Sequence, residues 1–338
     1  MKINKKWLAA GAGILISVIF LKIAFGSLKL DEVFAVIRGA NFAWLALAAG
    51  VFFISTLLIA WRWQFLLNAI KPVPLGYLTQ LVMIGYMGNN VYPFRTGEIL
   101  RIVLLARYQQ IAPAKSTMTV IIERVFDGLV MLTFILISVN MLGITSPKIQ
   151  DMARIGTPLF LVALVVFFAL AARPNLFRSL LHTVSKQLPG KLHELADRIG
   201  EEIISGFEGL RSPKDLAGVI FASYASWGVQ AILYWMVAFA FNLNVNLATM
   251  FLLVGVVNLA GLVPASPGQI GVFEFFAGLV LTAVGVNETQ AQAYALVAHV
   301  VIWLPVTLAG FYFLVRQGLG WNAITHAGEL ERKEAVSG

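Results

Sequence analysis

Apolar residues in this chain come in long blocks, not in the alternation of a half-buried strand or the one-sided stripe of a soluble helix. A helix needs about 20 mostly apolar residues to cross a hydrocarbon core. Blocks of that kind cover residues 7–25, 43–60, 117–142, 155–172, 216–241 and 291–315, and the fifth carries no formal charge. The first follows Lys2, Lys5 and Lys6, as a signal peptide would, but its apolar run is long for one, so an uncleaved span is expected. The second closes on Trp61-Arg62-Trp63, whose indoles suit an interfacial belt.

Two further apolar segments are interrupted. Residues 78–92 are broken by Gly85, Gly88, Asn89 and Asn90 and then stopped by Pro93. Residues 247–263 are followed by Pro264, Pro267, Gly268 and Gly271, and then by a second apolar run to Val286. Each reads as two half-helices around an irregular tip, which survives at membrane depth only where protein or water satisfies its backbone. Re-entrant hairpins are the expectation, with Pro-kinked spans as the alternative.

The order span, span, hairpin, span occurs in residues 1–145 and again in 155–318. Three crossings per half start the second half on the opposite face, so the two tips would enter from opposite sides and meet near the middle. Secondary transporters are often built as such inverted repeats. The predicted fold is therefore an all-α polytopic membrane protein, with about six full spans and two re-entrant helical hairpins in one membrane domain over 1–318. Residues 174–213 form a polar connector in which Leu192, Leu195, Ile199, Ile203, Phe207 and Leu210 recur at helical spacing. Residues 319–338 are a polar tail.

Composition sharpens this picture. Of 338 residues, 59% are hydrophobic and 12% charged, against about 45–50% and about 25% in soluble domains. So little charge cannot cover a water-facing surface, and soluble enzymes, disordered regulators and nucleic-acid binders fit poorly. The net charge of +8 sits in short segments between apolar blocks. Lys2, Lys5, Lys6, Arg62, Lys71, Arg107, Lys115, the basic residues of 173–214 and Arg316 all fall on one side if the N-terminus is cytoplasmic. The positive-inside rule then places both termini in the cytoplasm of a bacterial-type inner membrane. Cysteine is absent, so thiolate chemistry is excluded.

An ionisable residue at membrane depth costs about 2.5–3.5 kcal/mol on insertion scales, so each needs a reason. The first patch runs from Gly88 through Asn90, Pro93, Arg95, Gly97 and Glu98 to Arg101. A half-helix starting near Thr96 would aim its free N–H groups and positive dipole end at the tip, beside Arg95. An Arg there suits a phosphate or carboxylate; the plainer reading is that Arg95 and Glu98 pair and hold the tip. The second patch is Glu123-Arg124-Val125-Phe126-Asp127, whose two carboxylates share a helix face. They are expected to pair with Arg95, Arg101 or Arg124. The third patch holds Ser266, a candidate cap, then Pro267, Gly268, Gly271 and Glu274. Glu274 has no basic neighbour in sequence, so Arg95 or Arg124 would be its partner, and His299 could join it in a proton relay.

These residues resemble a family. Asn90, Pro93, Arg95, Gly97-Glu98, Arg101, Glu123-Arg124 and Asp127 resemble the first motif block of the lysylphosphatidylglycerol synthase transmembrane region family, the flippase-like UPF0104 domain. Pro264-Ala265-Ser266-Pro267-Gly268, Gly271 and Phe273-Glu274 resemble its second block. The resemblance implies lipid translocation between leaflets. It does not bring the synthase activity, because the aminoacyl transferase domain found in some members is not expected after Arg316.

Three function classes follow. The first is a flippase that moves an anionic phospholipid, glycolipid or polyprenyl-phosphate-type lipid, with Asn90, Arg95, Glu98, Arg101, Glu123, Arg124, Asp127, Ser266 and Glu274 at its site. Pro93, Gly97, Pro264, Pro267, Gly268 and Gly271 would shape its tips. The second is a membrane partner of a separate lipid-synthesising enzyme. The third is an intramembrane enzyme, for which the histidines at 182, 193, 299 and 326 offer no His-Glu-x-x-His motif. No cofactor, metal or nucleic-acid partner is expected.

Overall fold

A computed structural model of the chain describes residues 5–92, 96–143, 212–261 and 266–317, with side chains from residue 13 onward, and single positions between 158 and 201. The predicted span 155–172, most of the connector and the polar tail lie outside the described residues. So do Pro93, Arg95 and Pro264.

The described residues are all-helical. In chain order they form α1 Lys5–Phe25, α2 Leu30–Arg38, α3 Phe42–Leu67, α4 Leu75–Val91, α5 Gly97–Gln109, α6 Pro113–Leu142, α7 Pro213–Ala240, α8 Leu247–Ala260, α9 Val272–Ala283 and α10 Glu288–Arg316. A single 3₁₀ turn, Pro267–Gln269, stands between α8 and α9. Among them α3, α6, α7 and α10 are long and apolar enough to cross a membrane. The first predicted block, 7–25, lies within the helix Lys5–Phe25. After it the chain bends by 80° into α2, and the pair together is a further apolar candidate for a span or a re-entrant loop. The amphipathic α2 was not foreseen, because Asp31, Glu32 and Arg38 read as a loop between blocks.

Polar residues end the apolar helices where the sequence offers them. Asn41 accepts from the Ala43 N–H, Ser212 from Asp215, Asn246 from Thr249 and Asn287 from Thr289. Each side chain satisfies one of the N–H groups that the first helical turn leaves open. Pro113 and Pro213 stand in the first turns of α6 and α7, where no N–H is required.

The main core is formed where α3 and α7 lie against each other with α8, α9 and α10, around Phe52, Trp227, Tyr234, Leu253 and Tyr294. A second core joins α3, α4, α5 and the end of α10 around Trp63, Leu81, Met87, Leu104 and Leu314. Large apolar side chains also cover the outside, with Leu15, Leu47, Ile137, Phe221, Leu308 and Val315 all exposed. A water-soluble monomer rarely presents so much apolar surface, whereas lipid matches it.

Both interrupted segments break as the prolines and glycines require. α4 ends at Val91, and α5 restarts at Gly97 and turns back along α4. The close approach depends on Gly97. A Cβ added there would lie 1.8 Å from the Gly85 carbonyl oxygen. In the second segment Gly268 has φ +69°, and its Cα side faces Trp303 and the Asn90 carbonyl. The two broken regions therefore touch. Gly97→Val must part α4 from α5, at an expected cost of about 1–3 kcal/mol. Thermal unfolding in detergent reads this as a lowered midpoint, and an unchanged midpoint would show that the two helices part freely.

Candidate functional site

The richest polar cluster forms where α3, α5, α6 and α7 meet. α6 carries Glu123 and Asp127 one turn apart on its inner face, and both are buried. Arg101 of α5 donates to Glu123 Oε2 at 3.0 Å, and Arg124 Nη2 lies 3.3 Å from Asp127 Oδ2. Those pairings match two of the expected partners. The third expected partner, Arg95, lies outside the described residues, and the cluster holds one arginine that was not expected there. Arg62, assigned by sequence to a cytoplasmic loop, is fully buried on α3, donates to Asp127 Oδ1 and lies 3.6 Å from Glu123. Its neighbour Trp63 is also fully buried. α3 continues to Leu67, about two turns beyond the expected end at residue 60, and carries both residues inward. An Arg inside an unbroken apolar helix was the signal available.

Neutral groups complete the cluster. The Trp227 indole donates to Asp127 Oδ1 at 2.7 Å, and Trp63 donates to Thr119 at 2.9 Å. The Arg101 guanidinium lies over the Trp63 ring, 3.9 Å from its centre, an arrangement the ring quadrupole favours. Three arginines face two carboxylates, and Glu98 adds a third acidic group nearby.

A pocket of about 40 Å³ opens beside the cluster, lined by Tyr86, Asn89, Gly97, Glu98, Arg101 and Arg124. That volume holds a few water molecules. Asn89 shapes its wall, accepting from the Gly97 N–H at 2.9 Å and donating to Glu98 Oε1 at 3.3 Å. It thereby caps α5 across the break, a role the sequence reading left unassigned. Among the described residues, Arg101 Nε and Glu98 Oε2 are buried with no hydrogen-bond partner, although buried polar atoms are paired in the large majority of cases. Arg124 remains 44% exposed at its side chain, the most open charge of the cluster.

Other predicted site residues lie elsewhere. Asn90 turns to α10 and donates to Thr307 Oγ1 at 2.8 Å. Ser266 caps nothing through its side chain; its N–H instead donates to Ser17 Oγ of α1 at 3.0 Å. Glu274 does not reach Arg124. It accepts from the Gly271 N–H at 2.7 Å and meets His299 Nδ1 at 2.6 Å. His299 Nε2 lies 2.8 Å from the Gly268 carbonyl, and its ring stacks on Phe273. The backbone carbonyl makes Nε2 a donor. The pair ties α9, α10 and the break at Gly268 together. Pro267 stands in the first position of the 3₁₀ turn as its missing N–H allows.

The profile described as Lysylphosphatidylglycerol synthase TM region matches residues 11–310. Glycosyltransferase AglD of Haloferax volcanii is 25% identical, over 86% of this chain and 51% of its own length. The chain thus spans about half the length of that relative. A UPF0104 membrane protein of Methanothermobacter thermautotrophicus is 23% identical, over 75% of this chain and 77% of its own. Another, from Methanocaldococcus jannaschii, is 20% identical, over 88% and 92%.

The buried cluster is reciprocal, so removing one member exposes the others' cost. Arg62→Met leaves Asp127 short of its closest cation, with an expected loss of about 3–5 kcal/mol. Adding Asp127→Asn is expected to restore part of it. A double-mutant cycle by thermal unfolding measures the coupling; additive losses would show that the two residues act separately.

Proposed function

The chain belongs to the lysylphosphatidylglycerol synthase TM region family, and from that premise we propose that it is a lipid flippase. Its substrate is an anionic or glycosylated lipid whose phosphate enters the pocket between α4, α5 and α6 while the hydrocarbon chains stay in the bilayer. The observation that carries this reading is the unpaired hydrogen-bonding capacity of Arg101 and Glu98 in a pocket that also presents Arg124. Guanidinium groups bind phosphate oxygens with geometric specificity. Glu98 and Asn89 would accept and donate to the hydroxyls of a glycerol or sugar head group. The glycosyltransferase name of one relative supports a head group of the sugar-bearing class.

The pocket is too small for such a head group in this conformation, so transport requires the α4–α5 hairpin to open. The second broken region, tied by Glu274 and His299, touches the first at Asn90 and Gly268. We read the two as re-entrant hairpins of an inverted repeat, with both chain ends cytoplasmic in a bacterial-type inner membrane. Movement of one would then be felt by the other.

Reconstituted proteoliposomes provide the test. Fluorescent phosphatidylglycerol, a neutral lipid and a polyprenyl-phosphate analogue are compared with native protein, Arg124→Ala and Glu98→Gln. Loss of a charged hydrogen bond is worth about 1.5–3 kcal/mol, so an anionic substrate should move about tenfold slower or worse in Arg124→Ala. Transport that is equal in native protein and Arg124→Ala, with both melting alike, would sink this site. Absence of any lipid movement by folded protein would sink the flippase reading itself.

A further inference from the structure

Four histidines are scattered along the sequence, and two of them converge in the connector. His182 Nδ1 lies 3.4 Å from Asp197 Oδ2, and His193 Nε2 lies 3.6 Å from the same oxygen. One ligand atom from each of the three residues falls within 4.8 Å of the other two. The histidines are eleven residues apart in sequence, and the imidazole rings sit 5.8 Å apart. His193 and Asp197 share a helix face at four-residue spacing, while His182 reaches them from the preceding segment.

Two further contacts hold this geometry. Ser185 Oγ donates to Asp197 Oδ1 at 2.6 Å, which fixes the carboxylate and leaves Oδ2 to face the imidazoles. Arg178 binds Glu201 through two hydrogen bonds, Nε to Oε1 at 2.5 Å and Nη2 to Oε2 at 2.7 Å. That pair lies four residues before His182 and four after Asp197, so both sets of contacts share one antiparallel register. The hydrogen bond from Ser185, with help from the two imidazoles, holds the Asp197 carboxyl below the ordinary carboxylate range. It is therefore an anion at neutral pH.

We propose that His182, His193 and Asp197 form a binding site for a divalent transition-metal cation of the zinc type. Two imidazole nitrogens and one carboxylate oxygen are the donor set that such cations take, whereas magnesium and calcium require oxygen ligands. Zinc holds these ligand atoms at about 2.0–2.2 Å, a contraction that side-chain rotation on exposed residues supplies. Three protein ligands leave the fourth tetrahedral position to water. Ser185 acts as the outer hydrogen-bonding group that orients the carboxylate. The bound ion would clasp the two segments of the connector together. This site shares no residue with the proposed lipid pocket, so it stands or falls independently of it.

Tag-free full-length protein in detergent, stripped by chelator, is titrated with Zn²⁺ and Co²⁺ near neutral pH. One cation per chain is expected, with visible Co²⁺ absorption of a nitrogen- and oxygen-coordinated site, undisturbed by excess Mg²⁺. His182→Ala, His193→Ala and Asp197→Asn should each weaken binding by about tenfold or more, and Ser185→Ala by a smaller factor. His326→Ala should bind as the native protein does. The three ligand side chains are exposed or half-buried, Ser185 is buried, and equal melting of the metal-free forms confirms that folding is intact. Absence of stoichiometric binding, or binding that survives both histidine substitutions, overturns the proposal and leaves an imidazole–carboxylate contact only.

Discussion

The organisation of this protein rests on keeping four charged side chains out of water, with a fifth, Arg124, half-exposed at their edge. Arg62, Arg101, Glu123 and Asp127 come from three helices, and each needs a partner once buried, with Arg124 adding a further contact to Asp127. α6 supplies both carboxylates, so α3 and α5 must approach it on one side. α7 closes the group with Trp227 and Ser223. Helix packing in lipid gains little from apolar burial, because hydrocarbon tails are as apolar as the side chains. Polar pairing of this kind therefore gives the bundle its register, and close contacts between small residues such as Gly85 and Gly97 give it its spacing.

The polar pocket is a consequence of the same arrangement. An unbroken α4–α5 helix would carry Arg101 away from α6. The break folds α5 back along α4 and brings Arg101 to Glu123, while Asn89 caps the restart. The interruption thus exposes helix-end N–H groups and charged side chains to one small space. In the second broken region, Glu274 serves as the restart's cap and as His299's partner. Both breaks substitute side-chain hydrogen bonds for missing backbone ones, as irregular backbone at membrane depth requires.

Much of the fold was legible because apolar block length is a direct physical requirement of the bilayer. The helices at 42–67, 113–142, 213–240 and 288–316 follow the predicted blocks closely. The breaks after Val91 and Ala260 fall where proline and glycine placed them. The bend between α1 and α2 was not legible, since a short amphipathic helix and a charged loop have similar composition. Within the site, Arg101 and Arg124 were among the three partners expected for the Glu123 and Asp127 face. Arg62 did not, because a basic residue at the end of an apolar block normally marks an interface.

By itself the sequence determined that this is a membrane-embedded helical protein, where its helices break, and which few charged residues lie among apolar ones. Those properties depend on local composition, and composition is written along the chain. The tertiary structure alone decided the partners. It gave Asp127 to Arg62, Glu274 to His299, Asn90 to Thr307 and Asp197 to a pair of distant histidines. Each of these pairings joins residues on different helical segments. Which carboxylate meets which base is set by how helices pack in three dimensions, a long-range choice that no local pattern encodes.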